Sequence, residues 1–181
     1  MKSLLAILLI LIAAVPGSAE VEKLAVPSEH GVDFYWWPRL PATDGWLHDE
    51  EASQTLAANV LVPEGSSFAE APAVMYAKAL YKPRAPEIQS IQELVESDRG
   101  EFERDMPTLR IERLPDLTTG DHRALIQLSF THSGEGNWER VAYGEEGNYY
   151  LIFVISARNE ADLKGAVPAF EKLLASYQEK W

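Results

Sequence analysis

The sequence predicts an α+β fold: an antiparallel sheet of about six strands flanked by two main helices. Three observations carry that expectation. Residues 109–156 read as short strands, the later ones separated by glycine-containing turns, which is the spacing of an antiparallel meander. Residues 86–106 carry an apolar stripe at helical period. A second such stripe follows Asn159. The chain has 181 residues, 46% of them apolar and 10% aromatic, which is enough to core one domain.

The first segment is read as a secretory signal peptide over residues 1–19. Met1-Lys2-Ser3 is a short positive start, Leu4–Val15 is an unbroken apolar run, and Gly17 and Ala19 precede the expected cut. The run is shorter than the roughly 20 residues a membrane-spanning helix needs. The expected product is therefore periplasmic or secreted, with no stable membrane insertion once the leader is removed. Residues 20–30 are expected to be a loose lead-in, and residues 31–181 a single domain.

Within that domain, Gly31–Trp37 is aromatic and β-branched and stops at Pro38, so it predicts the first strand. Pro38–Gly45 predicts a loop with a turn at Asp44-Gly45. Thr55–Val62 predicts a second strand, closed by the turn Pro63-Glu64-Gly65. Ala73–Tyr81, with Val74, Tyr76 and Leu80 on one side, fits a strand or a helix, and the flanking prolines 72 and 83 and its length favour the strand.

Pro86–Met106 predicts the first main helix, with Pro86 at its first position. Ile88, Ile91, Val95, Phe102 and Met106 form its apolar stripe, and Glu93, Glu96, Glu103 and Arg104 its wet face. Leu109–Leu114 predicts a strand ending at Pro115. His122–Thr131 alternates, placing Ala124, Ile126, Leu128 and Phe130 on one face. Ser133–Asn137 is a turn, Trp138–Tyr143 the return strand, and Gly144–Asn148 a second turn. Tyr149–Ser156 is almost continuously apolar, which predicts cover on both faces. Asn159 caps the last helix, whose stripe is Leu163, Val167, Phe170, Leu174 and Tyr177. Pro168 is expected either to kink this helix or to break off a short first turn, and the second, with the main helix beginning near Ala166, is favoured.

Gly31-Val32-Asp33-Phe34 leads through a proline loop to Gly45-Trp46. With the closing strand Tyr150–Phe153 and the helix Ala169–Tyr177, this order resembles the PsbP-like family over about residues 31–177. The resemblance implies an α/β/α sandwich, a fold shared by photosystem-associated proteins, a Ran-binding import factor and many exported bacterial proteins. It also implies a binding or assembly role without a catalytic site. It carries over no functional residues.

The charge and composition exclude several classes. With 28 acidic against 16 basic residues the formal charge is −12, so phosphate backbones are repelled and nucleic acid is not an expected partner. With no cysteine there is no disulfide, thiolate nucleophile or iron–sulfur site. No nucleophile elbow, phosphate loop, zinc-protease or calcium-loop motif occurs, and no cofactor is expected. Gly134-Glu135-Gly136 lies between strands and reads as a hairpin turn.

Two groups of residues are candidates for a site. His48, Asp49 and Glu50, with Glu51, are weak candidates for a metal because imidazole and carboxylate are metal ligands. Neighbours on an extended chain point to alternate sides, so at most two converge, and a solvated acidic loop is the stronger reading. Tyr35, Trp37 and Trp46 are candidate partner-binding residues, since Tyr and Trp are enriched at interaction hot spots. The reading is an exported, non-catalytic binding or assembly protein with an unidentified protein partner. The alternatives are an immunity-type inhibitor of a toxic enzyme, suited by the acidity, and a small metal-binding protein.

Overall fold

The computed structural model describes residues 21–29, 31–41, 43–132 and 137–178. The expected signal peptide at 1–19 and residues 133–136 of the expected turn at 133–137 lie outside them. The elements run β1 (Val21–Ser28), β2 (Gly31–Pro38), β3 (Trp46–His48), α1 (Glu50–Leu56), β4 (Asn59–Pro63), β5 (Ala73–Tyr81), α2 (Ile91–Asp105), β6 (Leu109–Thr118), β7 (Ala124–His132), β8 (Trp138–Glu146), β9 (Tyr149–Ala157) and α3 (Glu160–Ser176). The strands form one antiparallel sheet, ordered β1-β2-β5-β9-β8-β7-β6. The outer edge of β5 is shared: β2 pairs at Ala79, while β4 pairs at Met75, Tyr76 and Ala77 and itself carries β3.

The α+β class with a large antiparallel sheet matches the expectation, but the sheet has nine strands, not about six. β1 occupies the expected lead-in and β3 lies between the expected loop and second strand. β1 contains Pro27, which an edge strand tolerates because no inner ladder bond is lost. β3 has three residues, too few for a periodic signal. β6 runs on past Pro115, with a register shift between Leu114 and Leu117, again on a sheet edge.

Local capping chemistry explains three other corrections. The segment expected to open the second strand is the short helix α1. Asp49 Oδ1 accepts from the Ala52 amide, and Glu50 and Glu51 sit at the positive end of the helix. β4 therefore begins at Asn59. α2 begins at Ile91, not Pro86, because Ser90 Oγ accepts from the Glu93 amide while Glu93 Oε2 accepts from the Gln89 amide, a variant of the capping box. α3 runs unbroken through Pro168. Pro168 and Lys164 are both exposed, so the carbonyl that loses its helical donor faces solvent.

α3 covers one face of the sheet. Leu163, Val167, Phe170, Leu173, Leu174 and Tyr177 pack on Met75, Ala77, Leu151, Phe153, Ile155, Ala142 and Leu125. Tyr177 Oη donates to Glu146 Oε2 at 2.6 Å, and its ring meets Phe153 edge-on at 5.1 Å. The opposite face is shared. α2 inserts Leu94 and Val95 against Leu128, Phe130, Val141 and Tyr143, while a separate cluster of Ala58, Val60, Val62, Ala71 and Val74 packs with Ala52 of α1. β9 is thus covered on both faces, as its apolar run predicts. β7 is too: besides Leu128 and Phe130, its other face buries Leu125, Gln127 and Ser129, so its alternation is between two interiors.

Candidate functional site

On the α1/α2 face the two helices leave a strip of sheet between them. Strand register determines what lines it. One row runs Val74–Ser156–Glu139–Phe130 across β5, β9, β8 and β7; the next runs Tyr76–Val154–Val141–Leu128; the third runs Lys78–Ile152–Tyr143–Ile126. Tyr76, Lys78, Glu139 and Tyr143 therefore share this face. Two cavities, of about 370 and 290 Å³, meet at Tyr76, Lys78 and Glu139 to form one cleft. At the α1 end the cleft is mainly apolar, with Leu56 and Phe68, each 37% exposed, beside Pro72 and Val74, and with Asn137 and Arg158 also lining it. At the α2 end it is acidic, with Asp98, Glu101 and Asp105 of α2 lining it beside Phe102 and Met106.

Desolvation dominates the electrostatics. Burial raises the Asp98 carboxyl above the ordinary carboxylate value, with Tyr143 and Lys78 opposing and Glu101 adding to the rise. Burial likewise raises Glu139, against the Ser156 hydroxyl and His132. The Tyr76 and Tyr143 phenols are pushed up by the same desolvation and by the carboxylates near them. Tyr143 is fully buried, and no hydrogen bond of normal geometry closes on its hydroxyl, although Asp98 is near enough to perturb it. The Lys78 ammonium lies 5.9 Å from the Tyr76 ring centroid. Apolar walls with a few convergent titratable groups are the usual make-up of a binding site.

The residues singled out from the sequence are elsewhere. Asp49 caps α1, and its second carboxylate oxygen accepts from the Phe68 amide at 3.2 Å. His48 Nε2 is 3.1 Å from Ser53 Oγ, while Glu50 is in the first turn of α1. That histidine–serine contact imitates a base and its nucleophile. However, Ser53 is 1% exposed, donates to the Asp49 carbonyl and accepts from the Val60 amide, so it fastens α1 to β4. Among the described residues no group of three or more His, Asp or Glu could hold a metal ion.

The aromatic candidates do not converge either. Trp37 is buried, with Nε1 donating to Glu22 at 3.4 Å, which removes it as a surface anchor. Trp46 is half-buried against the α3-side core. Tyr35, 39% exposed on the β1–β2 hairpin, is the one of the three that faces solvent.

Two interruptions of pattern could have pointed to the cleft. Asp98 falls three residues after Val95 and four before Phe102, on the apolar stripe of α2. Lys78 sits between Tyr76 and Leu80, on the apolar side of β5.

No family model matches the chain, and no curated protein matches it. Among solved structures it is similar to PA94 of Pseudomonas aeruginosa, a protein of unknown function. That match has 15% identity and a TM-score of 0.53, and covers 91% of this chain and 99% of that one. It shows a shared fold. The Ran-binding protein Mog1p of Saccharomyces cerevisiae matches at 11% identity with a TM-score of 0.43, covering 86% of this chain and 90% of that one.

Proposed function

We propose that this chain is an exported binding protein that engages a protein partner in the cleft between α1 and α2, without catalysis of its own. The observation that carries the reading is the strip of sheet between the helices: it sets an apolar end at Leu56 and Phe68 against an acidic end at Asp98 and Glu139. An elongated cleft with two chemically different ends suits a segment of polypeptide, whose successive side chains differ in the same way. Export rests on the Met1–Ala19 pattern. Kinship with the PsbP-like family is part of the proposal and rests on the residues quoted for it above.

A photo-crosslinking residue placed at Phe68 or Lys78 tests the reading, with Lys164 on the outside of α3 as the control. A discrete protein adduct is expected from the first two positions and not from Lys164. Adducts in equal yield from all three, or from none, overturn it. The charge-insertion variant Phe68→Asp should abolish the adduct formed through Lys78. An adduct that survives that change places the partner outside the cleft.

A further inference from the structure

We infer that the acidic end of the cleft is a subsite for one arginine side chain of the protein partner, held by Asp98, Glu139 and the Tyr143 hydroxyl. The inference rests on the protein-binding reading above and specifies its chemistry. Asp98 and Glu139 come from α2 and β8, and both line the same cavity of about 290 Å³. Glu101 and Asp105 add to that wall, with Lys78 the one cation lining it among the described residues. Lys78 attracts Asp98 but closes no ion pair with either carboxylate among the described residues. The formal charge of −12 is complementary to a cationic occupant as well.

The second observation is independent of charge. Tyr143 is buried at the cavity wall, and no hydrogen bond of normal geometry closes on its hydroxyl, the Asp98 carboxylate being the group near enough to interact with it. A buried polar atom of this kind destabilises the fold unless something satisfies it. An N–H donor entering the cleft does so. Arginine fits better than lysine because its five donors lie in one plane and serve several acceptors at once. The partly exposed rings of Tyr76 and Phe102 give that plane flat surfaces to lie against.

The test uses the full chain with a defined probe, Nα-acetyl-arginine amide, followed by backbone NMR. The neutral isostere Nα-acetyl-citrulline amide and Nα-acetyl-lysine amide serve as comparators. Shifts are expected to concentrate at Tyr76, Lys78, Asp98, Glu139 and Tyr143, with the citrulline compound inert and the lysine compound weaker. Asp98→Asn and Glu139→Gln keep side-chain shape and should each weaken the arginine probe about ten-fold, the loss of one charged hydrogen bond. Tyr143→Phe should weaken it by a smaller factor while the spectrum elsewhere stays unchanged.

Shifts spread over the whole acidic surface, equal binding of the citrulline compound, or undiminished binding by Asp98→Asn and Glu139→Gln overturn the inference. The protein-binding reading fails separately. If the probe binds as expected but the crosslinks at Phe68 and Lys78 are absent, the subsite stands as a cation site and the partner assignment falls. If the crosslinks persist at full yield in the Asp98→Asn, Glu139→Gln double variant, the partner uses the cleft without the subsite, and the arginine assignment falls.

Discussion

The two faces of the sheet solve the same packing problem differently. On one, α3 presents a continuous row of large apolar residues, and the charged groups at its margin are paired: Glu146 accepts from Tyr177, and Glu171 meets Arg140. On the other, α2 buries only Leu94 and Val95, α1 covers a separate patch, and the strip between them keeps carboxylates and phenols partly out of water. The difference separates the face that is packed shut from the face that carries the proposed binding site. The α3 face is filled by large apolar side chains, with the Gln127 amide nitrogen buried there without a partner; the α1/α2 face borders an open cleft and leaves carboxylates and phenols desolvated along it, an energetic cost to folding.

The largest expected effect follows from that contrast. Phe170→Ala removes a fully buried ring beneath α3 and should cost about 3–5 kcal/mol of unfolding free energy in a urea titration. Leu94→Ala on α2 should lie at the low end of the roughly 2–5 kcal/mol range for its type, because its surroundings border an open cleft. A larger loss at Leu94 than at Phe170 would break the comparison.

Next is Gly144→Ala. A Cβ at Gly144 would stand 2.5 Å from Leu125 Cδ2 inside the α3-side core, so it should cost about 1–3 kcal/mol by the same measurement. A neutral outcome would mean that this core is looser than its packing indicates.

The pH response sharpens the comparison. Asp98, facing Lys78, Glu101 and Tyr143, and Glu139, facing Ser156 and His132, both have raised carboxyl pKa values in the folded state. The folded protein therefore holds these protons to higher pH than the unfolded chain does. Their contribution to stability is present below the ordinary carboxylate range and is lost as pH rises through the folded values. Unfolding midpoints measured through that range should fall less steeply in the Asp98→Asn, Glu139→Gln double variant than in the parent. An unchanged slope would relocate the titration to other carboxylates.

The smallest effect is expected from Tyr143→Phe. Deleting a hydroxyl on which no hydrogen bond of normal geometry closes should leave stability within about 1 kcal/mol of the parent, or raise it, while weakening the cleft's hold on a cationic probe. A loss of several kcal/mol would show that the hydroxyl is satisfied in the fold and would remove its role in the subsite.

Much of this was written locally in the chain. The stripe Leu163, Val167, Phe170, Leu174 and Tyr177 identifies α3 and its buried face, and Tyr149–Ser156 declares a strand covered twice, because period and unbroken apolarity are properties of neighbouring residues. Ser90 and Glu93 also mark the start of α2, once capping outweighs the proline at 86. What neighbouring residues do not encode is which strands lie side by side. β3 exists only because β4 pairs with it, and Trp37 is buried rather than presented. The cleft gathers Lys78, Asp98, Glu139 and Tyr143 from three elements, through a register that only the assembled sheet defines. Pattern along the chain determined the helices, most strands and which sides face inward, since those follow from backbone period. Tertiary assembly decided the site, since desolvation of a charge depends on what other segments place around it.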